Sequence, residues 1–123
     1  MASEETRSVL IVDDDEAFRF RLRQAFVSRD WEANCAGDRS EALAQARQYS
    51  PDLILVDLRM PDVDGLDLVF ELREMDDSSK IVVLTGYGSI ATALAAVKRG
   101  ADHYLSKPID VDQIIAAFEE LQR

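Results

Sequence analysis

Residues 8–16 read Ser8-Val9-Leu10-Ile11-Val12-Asp13-Asp14-Asp15-Glu16, an apolar run that stops abruptly at four consecutive acids. A short run that is apolar without alternation suits a strand covered on both faces rather than a half-solvated one. The pattern returns along the chain. Leu53-Ile54-Leu55-Val56 runs into Asp57, and Ile81-Val82-Val83-Leu84 runs into Thr85-Gly86. Trp31 to Cys35 and His103-Tyr104-Leu105 complete five runs, the last followed by Ser106-Lys107-Pro108. Stretches of helical spacing lie between them. Their apolar positions are Phe18, Leu22, Ala25 and Phe26; Ala42, Leu43, Ala46 and Tyr49; Leu66, Val69, Phe70 and Leu72; and Val111, Ile114, Ile115, Phe118 and Leu121. Between Ser89 and Arg99 the expected buried stripe is thin: Ala91, Ala93, Ala95 and Ala96 around Ile90, Leu94 and Val97. Asp38 and Glu41 have capping-box spacing, Asp110 suits an N-cap, and Gly100 suits the residue just past a helix end.

Five strand-helix units imply an α/β fold with a parallel sheet and helices on both faces. At 123 residues the flavodoxin-like doubly wound arrangement fits best, with strand order 2-1-3-4-5 in a single domain over residues 1–123, core about 7–122. Composition narrows the function. Fourteen basic against 24 acidic residues give a net charge of −10, which argues against nucleic-acid or anionic-lipid binding by this surface. No apolar run approaches the ~20 residues of a membrane span, and the first residues show no signal-peptide core. The single cysteine, Cys35, forms no internal disulfide, which fits a cytoplasmic setting. His103, inside the last strand, is read as structural, Trp31 as packed at the start of the second strand, and Phe20, off the apolar stripe of the first helix, as partly exposed in preference to an interface residue.

In such sheets the ligand crevice lies beyond the carboxyl ends of the strands. Strand order brings Asp13, Asp14, Asp57, Thr85 and Lys107 to that edge. Clustered carboxylates stay ionised together only with a cation between them, and an all-oxygen site suits Mg²⁺ or Mn²⁺. Asp57 has the chemistry of a ligand and of a nucleophile toward phosphorus. A phosphoryl group there would find one oxygen neutralised by the metal, a second by Lys107 and a third by the Thr85 hydroxyl. Asp15 reads instead as the cap of the first helix.

These residues carry a family resemblance. Val12-Asp13-Asp14, the segment Val56-Asp57-Leu58-Arg59-Met60-Pro61-Asp62-Val63-Asp64-Gly65, Thr85-Gly86, Tyr104 and Lys107-Pro108 resemble the receiver domains of two-component response regulators, over essentially the whole chain. The resemblance implies that Asp57 is the phosphoacceptor. It implies that Asp14 and the backbone carbonyl of Arg59 bind Mg²⁺ directly and Asp13 through water, with Lys107 holding the phosphoryl group. Thr85 and Tyr104 would be the switch residues, and the Lys107-Pro108 bond would be cis. Arg59 and Tyr87, large groups flanking the pocket, would slow hydrolysis. The implied partner is a sensor histidine kinase, and the implied output is control of an effector, here transcription. It would pass through the face of the Ser89–Arg99 helix, the last strand and the last helix (Asp110 to Leu121), with phosphorylation-dependent homodimerisation there. Gly86-Tyr87-Gly88-Ser89-Ile90-Ala91-Thr92-Ala93 further resembles redox- and photosynthesis-linked global regulators of proteobacteria, which carry a C-terminal DNA-binding domain. A receiver cut from such a regulator is favoured over a stand-alone one.

Two other functions compete. A Mg²⁺-dependent aspartyl-phosphate phosphatase or phosphotransferase would show Asp-x-Asp at the first strand with a second acid group late in the chain; here the nucleophile candidate follows the third strand, and no cap domain to bind a substrate is expected. A flavodoxin-like cofactor binder would need a Ser/Thr/Gly-rich phosphate loop where this chain has four acids. The expectation is a phosphoaccepting signalling module, not an enzyme.

Overall fold

The computed structural model describes residues 6–60, 64–86 and 90–123. Pro61, Asp62, Val63, Tyr87, Gly88 and Ser89, named in the motifs above, lie outside the described residues. Five strands, β1 (Ser8–Val12), β2 (Glu32–Ala36), β3 (Leu53–Asp57), β4 (Lys80–Thr85) and β5 (His103–Ser106), alternate with five helices, α1 (Glu16–Val27), α2 (Arg39–Tyr49), α3 (Gly65–Met75), α4 (Ile90–Lys98) and α5 (Val111–Leu121). The sheet is wholly parallel with order β2-β1-β3-β4-β5, the order expected.

The sheet separates two cores. Leu10, Val12, Ile54, Val56, Ile81 and Val83 pack under α2, α3 and α4. Val9, Ile11, Leu53, Leu55 and Val82 pack under α1 and α5, against Leu22, Phe26, Ile114 and Phe118. This is strand parity at work, since successive side chains point to opposite faces. Every residue of the central strand β3 is buried, as its unbroken apolar run requires. Trp31 fills the floor of the second core, edge-on to Phe26 at 5.1 Å and to Phe118 at 5.3 Å between ring centroids.

Helix starts are set by local acids. Asp15 accepts from the Phe18 amide, Asp38 from that of Glu41, and Asp64 from those of Leu66 and Asp67. Asp110 and Gln113 form a reciprocal capping box. Glu41 reaches one residue further back than a capping box would, accepting from the Gly37 amide at 2.7 Å.

Three expected helix faces need correction. On α2 the buried residues are Ala42 and Ala46, while Tyr49 is 48% exposed; on α3 they include Leu68, Val69 and Leu72, while Phe70 is exposed. The largest departure is α4. Ala93 and Ala96 are fully buried, Ala91 is exposed, and Ile90, Leu94 and Val97 form an outward stripe at 50%, 50% and 38% exposure. Two alanines let the helix lie close on the sheet, which turns its large side chains away. His103, expected to be structural, is exposed at the first position of β5. Phe20 is exposed as expected.

Candidate functional site

Parity and register together build the site. Val12 pairs with Val56, so Asp13 and Asp57 emerge side by side on adjacent strands and on the same face. Asp57 pairs with Leu84, and Leu84 with Leu105; two residues beyond Leu105, on that same face, comes Lys107. The Lys107 ammonium bridges the two acids, 3.2 Å from Asp13 Oδ2 and 3.4 Å from Asp57 Oδ2. Its backbone N–H donates to the Thr85 carbonyl at 2.7 Å, which ties the β5–α5 loop to the end of β4. The Lys107-Pro108 peptide bond is cis. The ammonium also lies 4.2 Å from the centroid of the Phe18 ring, a cation–π contact that holds it from the α1 side. Sequence reading put Phe18 in the core only; its place four residues after Asp14, one turn into α1, was the available signal.

Each acid has its own environment. Asp13 is buried, and its Oδ1 accepts from the Asp15 amide at 2.9 Å. Burial pushes its carboxyl up from the usual range; the Asp15 amide pulls it down, the Asp57 charge adds to the rise, and Lys107 opposes it. Asp57 is buried at the strand tip, and its Oδ1 accepts from the Arg59 amide at 3.0 Å. That turn brings the Arg59 backbone to the acids. The Arg59 side chain lies over Gly86: a Cβ there would fall 2.5 Å from Arg59 Nη1, so only glycine leaves room for this pose. Asp14 is exposed at the mouth. Asp15, capping α1, stands apart from the cluster.

Carboxylate oxygens of Asp13, Asp14 and Asp57 all lie within 4.8 Å of one another. Three carboxylates share the site with one lysine, which bridges two of them, an imbalance of two charges. That imbalance and the all-oxygen donor set fit a hard divalent cation.

Thr85 and Tyr104 occupy the other face of the sheet. Tyr104 pairs with Val83 and Thr85 with Ser106, so the two side chains are diagonal neighbours toward α4. Tyr104 is half-buried against the α2–α4 core. The Thr85 hydroxyl is buried and has no hydrogen-bond partner among the described residues. Beside the acids, a cleft of about 730 Å³ opens between α1 and the start of α5. Phe18, Leu22 and Ile109 give it apolar walls, while Arg21, Arg59 and Lys107 supply positive charge.

Comparison with known proteins agrees with the fold. The model of the response regulator receiver domain matches residues 9–119, and the chain belongs to that family. It is 46% identical over 111 residues to the acid tolerance regulatory protein ActR of Rhizobium meliloti, covering 90% of this chain and 57% of ActR. It is 50% identical over 111 residues to the photosynthetic apparatus regulatory protein RegA of Cereibacter sphaeroides, covering 90% and 60%. The expected similarity to photosynthesis-linked regulators of proteobacteria therefore holds, and the chain spans about three-fifths of the length of these relatives. Among solved structures, a response regulator of Burkholderia pseudomallei with a phosphorylated aspartic acid, a calcium ion and citrate superposes with a TM-score of 0.87 at 39% identity, over 94% of this chain and 71% of that one. A CheY-like receiver domain of Methanospirillum hungatei gives 0.86 at 27%, over 96% and 98%. Among the described residues no helix is long and apolar enough to cross a membrane.

Proposed function

We propose that this receiver domain accepts a phosphoryl group on Asp57 from a sensor histidine kinase. Mg²⁺ or Mn²⁺ would be held by Asp14, Asp57 and the Arg59 carbonyl, with Asp13 bonding through water. The observation that carries this reading is the cluster of three carboxylates, two of them bridged by one lysine. A cation held there would supply neutralising charge for the phosphoryl oxygens in the transition state. An Asp57 carboxylate oxygen forms the new bond to phosphorus. The P–N bond of the donor phosphohistidine breaks, and its electron pair leaves with the imidazole. Lys107, already 3.4 Å from Asp57, stays beside the product acyl phosphate and pairs with one of its oxygens. The cleft beside Lys107, apolar-walled and basic, is where the kinase helix carrying that histidine would dock.

The output follows from Thr85. A phosphoryl oxygen offers its orphan hydroxyl an acceptor, and movement toward Asp57 vacates space on the face it shares with Tyr104. Tyr104 turns inward, and α4, held by Ala93 and Ala96, shifts in response. The exposed Ile90, Leu94 and Val97 stripe then forms part of an α4-β5-α5 surface for a second copy or an effector. The effector proposed is a C-terminal DNA-binding domain, for which the greater length of the relatives leaves room. The test is labelling by acetyl phosphate with Mg²⁺, read on a phosphate-affinity gel: Asp57→Asn should abolish the shifted band. A band of wild-type intensity in that variant would place the acceptor elsewhere.

A further inference from the structure

Arg19 has no task in the scheme above, yet its side chain is placed with care. On the first full turn of α1 its backbone N–H bonds the Asp15 carbonyl at 3.0 Å, as any helical residue would. The side chain runs back toward the strand ends, where Nη1 donates to the backbone carbonyl of Asp13 at 2.7 Å. The guanidinium rests on Gly37, in the turn after β2. A Cβ at Gly37 would lie 2.8 Å from Nη1 and 3.3 Å from Cζ. The Gly37 backbone is outside the positive-φ region, so what the glycine supplies is space for the guanidinium in this pose, not conformational freedom.

We propose that Arg19 is a positioning residue of the divalent-cation site: it fixes the peptide between Asp13 and Asp14 and thereby aims the Asp14 carboxylate at Asp57. The proposal rests on the reading that these acids hold a metal. Asp13 itself is well anchored. Its N–H bonds the Ala36 carbonyl at 3.1 Å, its Oδ1 accepts from Asp15, and its Oδ2 faces Lys107. Asp14 is exposed and has no such side-chain anchor among the described residues. Its direction is therefore set by the peptide that joins it to Asp13. That peptide is planar, so fixing the Asp13 carbonyl fixes the Asp14 amide and Cα as one unit. Arg19 is the group that fixes the carbonyl. It does so without an ion pair to any acid among the described residues, so it takes no carboxylate oxygen of the cluster away from the cation.

The sign of the effect separates this role from simple electrostatics. Removing a positive charge near a cation site should tighten cation binding; losing a positioning group should weaken it. Mg²⁺ titrated by calorimetry into Arg19→Ala should bind about 10-fold more weakly than into the wild type, the usual cost of losing a group that orients a ligand. Arg19→Lys, which keeps one donor, should recover part of the loss. Gly37→Ala, which pushes the guanidinium off its seat, should weaken binding similarly and add nothing in the Arg19→Ala background. It also serves as the test if Arg19→Ala does not fold. Unchanged or tighter Mg²⁺ binding in a folded Arg19→Ala or Gly37→Ala, or losses that add in the double variant, would overturn the proposal. Absence of Mg²⁺ binding by the wild type would instead remove the metal reading beneath it.

Discussion

Replacing Thr85 by valine should make the unphosphorylated domain more stable and, at the same time, deaf to the phosphoryl group. The hydroxyl of Thr85 is buried in a residue only 1% exposed and has no partner among the described residues. A buried donor left unmade costs about 1–3 kcal/mol, and replacing the hydroxyl by a methyl of the same shape removes that cost without opening a cavity. At about 2.1 cal/mol/K per residue, the 123-residue chain has an unfolding entropy near ~0.26 kcal/mol/K, so each 1 kcal/mol moves Tm by about 4 °C. The expected rise is thus about 4–12 °C, measured by calorimetry in the absence of divalent cations. Thr85→Ser is the control. It keeps the hydroxyl and loses a methyl, so it should fall by about 1 kcal/mol or somewhat more yet still respond. Response is read from amide shifts on adding beryllofluoride with Mg²⁺. In the wild type and the serine variant, changes beyond the loops around Asp57 should concentrate on α4, β5 and α5. In the valine variant those remote changes should vanish while the ones next to Asp57 persist. A valine variant no more stable than wild type would show that the hydroxyl already has a partner. Largest remote shifts on α1 would refute the α4 route itself.

Asp14→Ala should weaken Mg²⁺ binding strongly. Asp15→Ala should leave it nearly intact and cost about 1 kcal/mol of stability through the lost α1 cap; calorimetry suits this comparison, because Trp31 sits between Phe26 and Phe118, beside the start of β2 and away from the acids. Asp76 accepts from the Ser78 hydroxyl and amide and from the Ser79 hydroxyl, which hold its carboxyl below the usual 3.8. Its contribution is present above that value and lost as pH falls through the depressed folded-state value. The stability difference between wild type and Asp76→Ala, by urea unfolding, should be largest near pH 7 and shrink as pH falls below the ordinary carboxylate value of 3.8, and a difference that grows on acidification would refute the assignment.

The chemical residues were legible because a strand leaves little freedom. Once β1, β3, β4 and β5 are neighbours, a period of two decides which side chains share a face, and the acids with Lys107 follow from counting. Arg19 and Phe18 were not legible as site residues. A helix sends a long side chain where the neighbouring loops leave room, and the space over Gly37 exists only once β2 is docked beside β1. The α4 stripe failed for a different reason. Hydrophobic periodicity assigns the largest side chains to the core, and Ile90, Leu94 and Val97 satisfy a helical period as well as Ala93 and Ala96 do. Close approach to the sheet decides between the faces, and only alanine permits it. The inversion has a consequence for switching. A helix seated on two methyl groups forfeits little contact when it slides, whereas α5, held by Val111, Ile114 and Phe118, would give up several buried side chains to move as far. An apolar stripe facing outward on the more weakly held of the two helices gives a partner something to cover in whichever position of α4 the phosphoryl group favours.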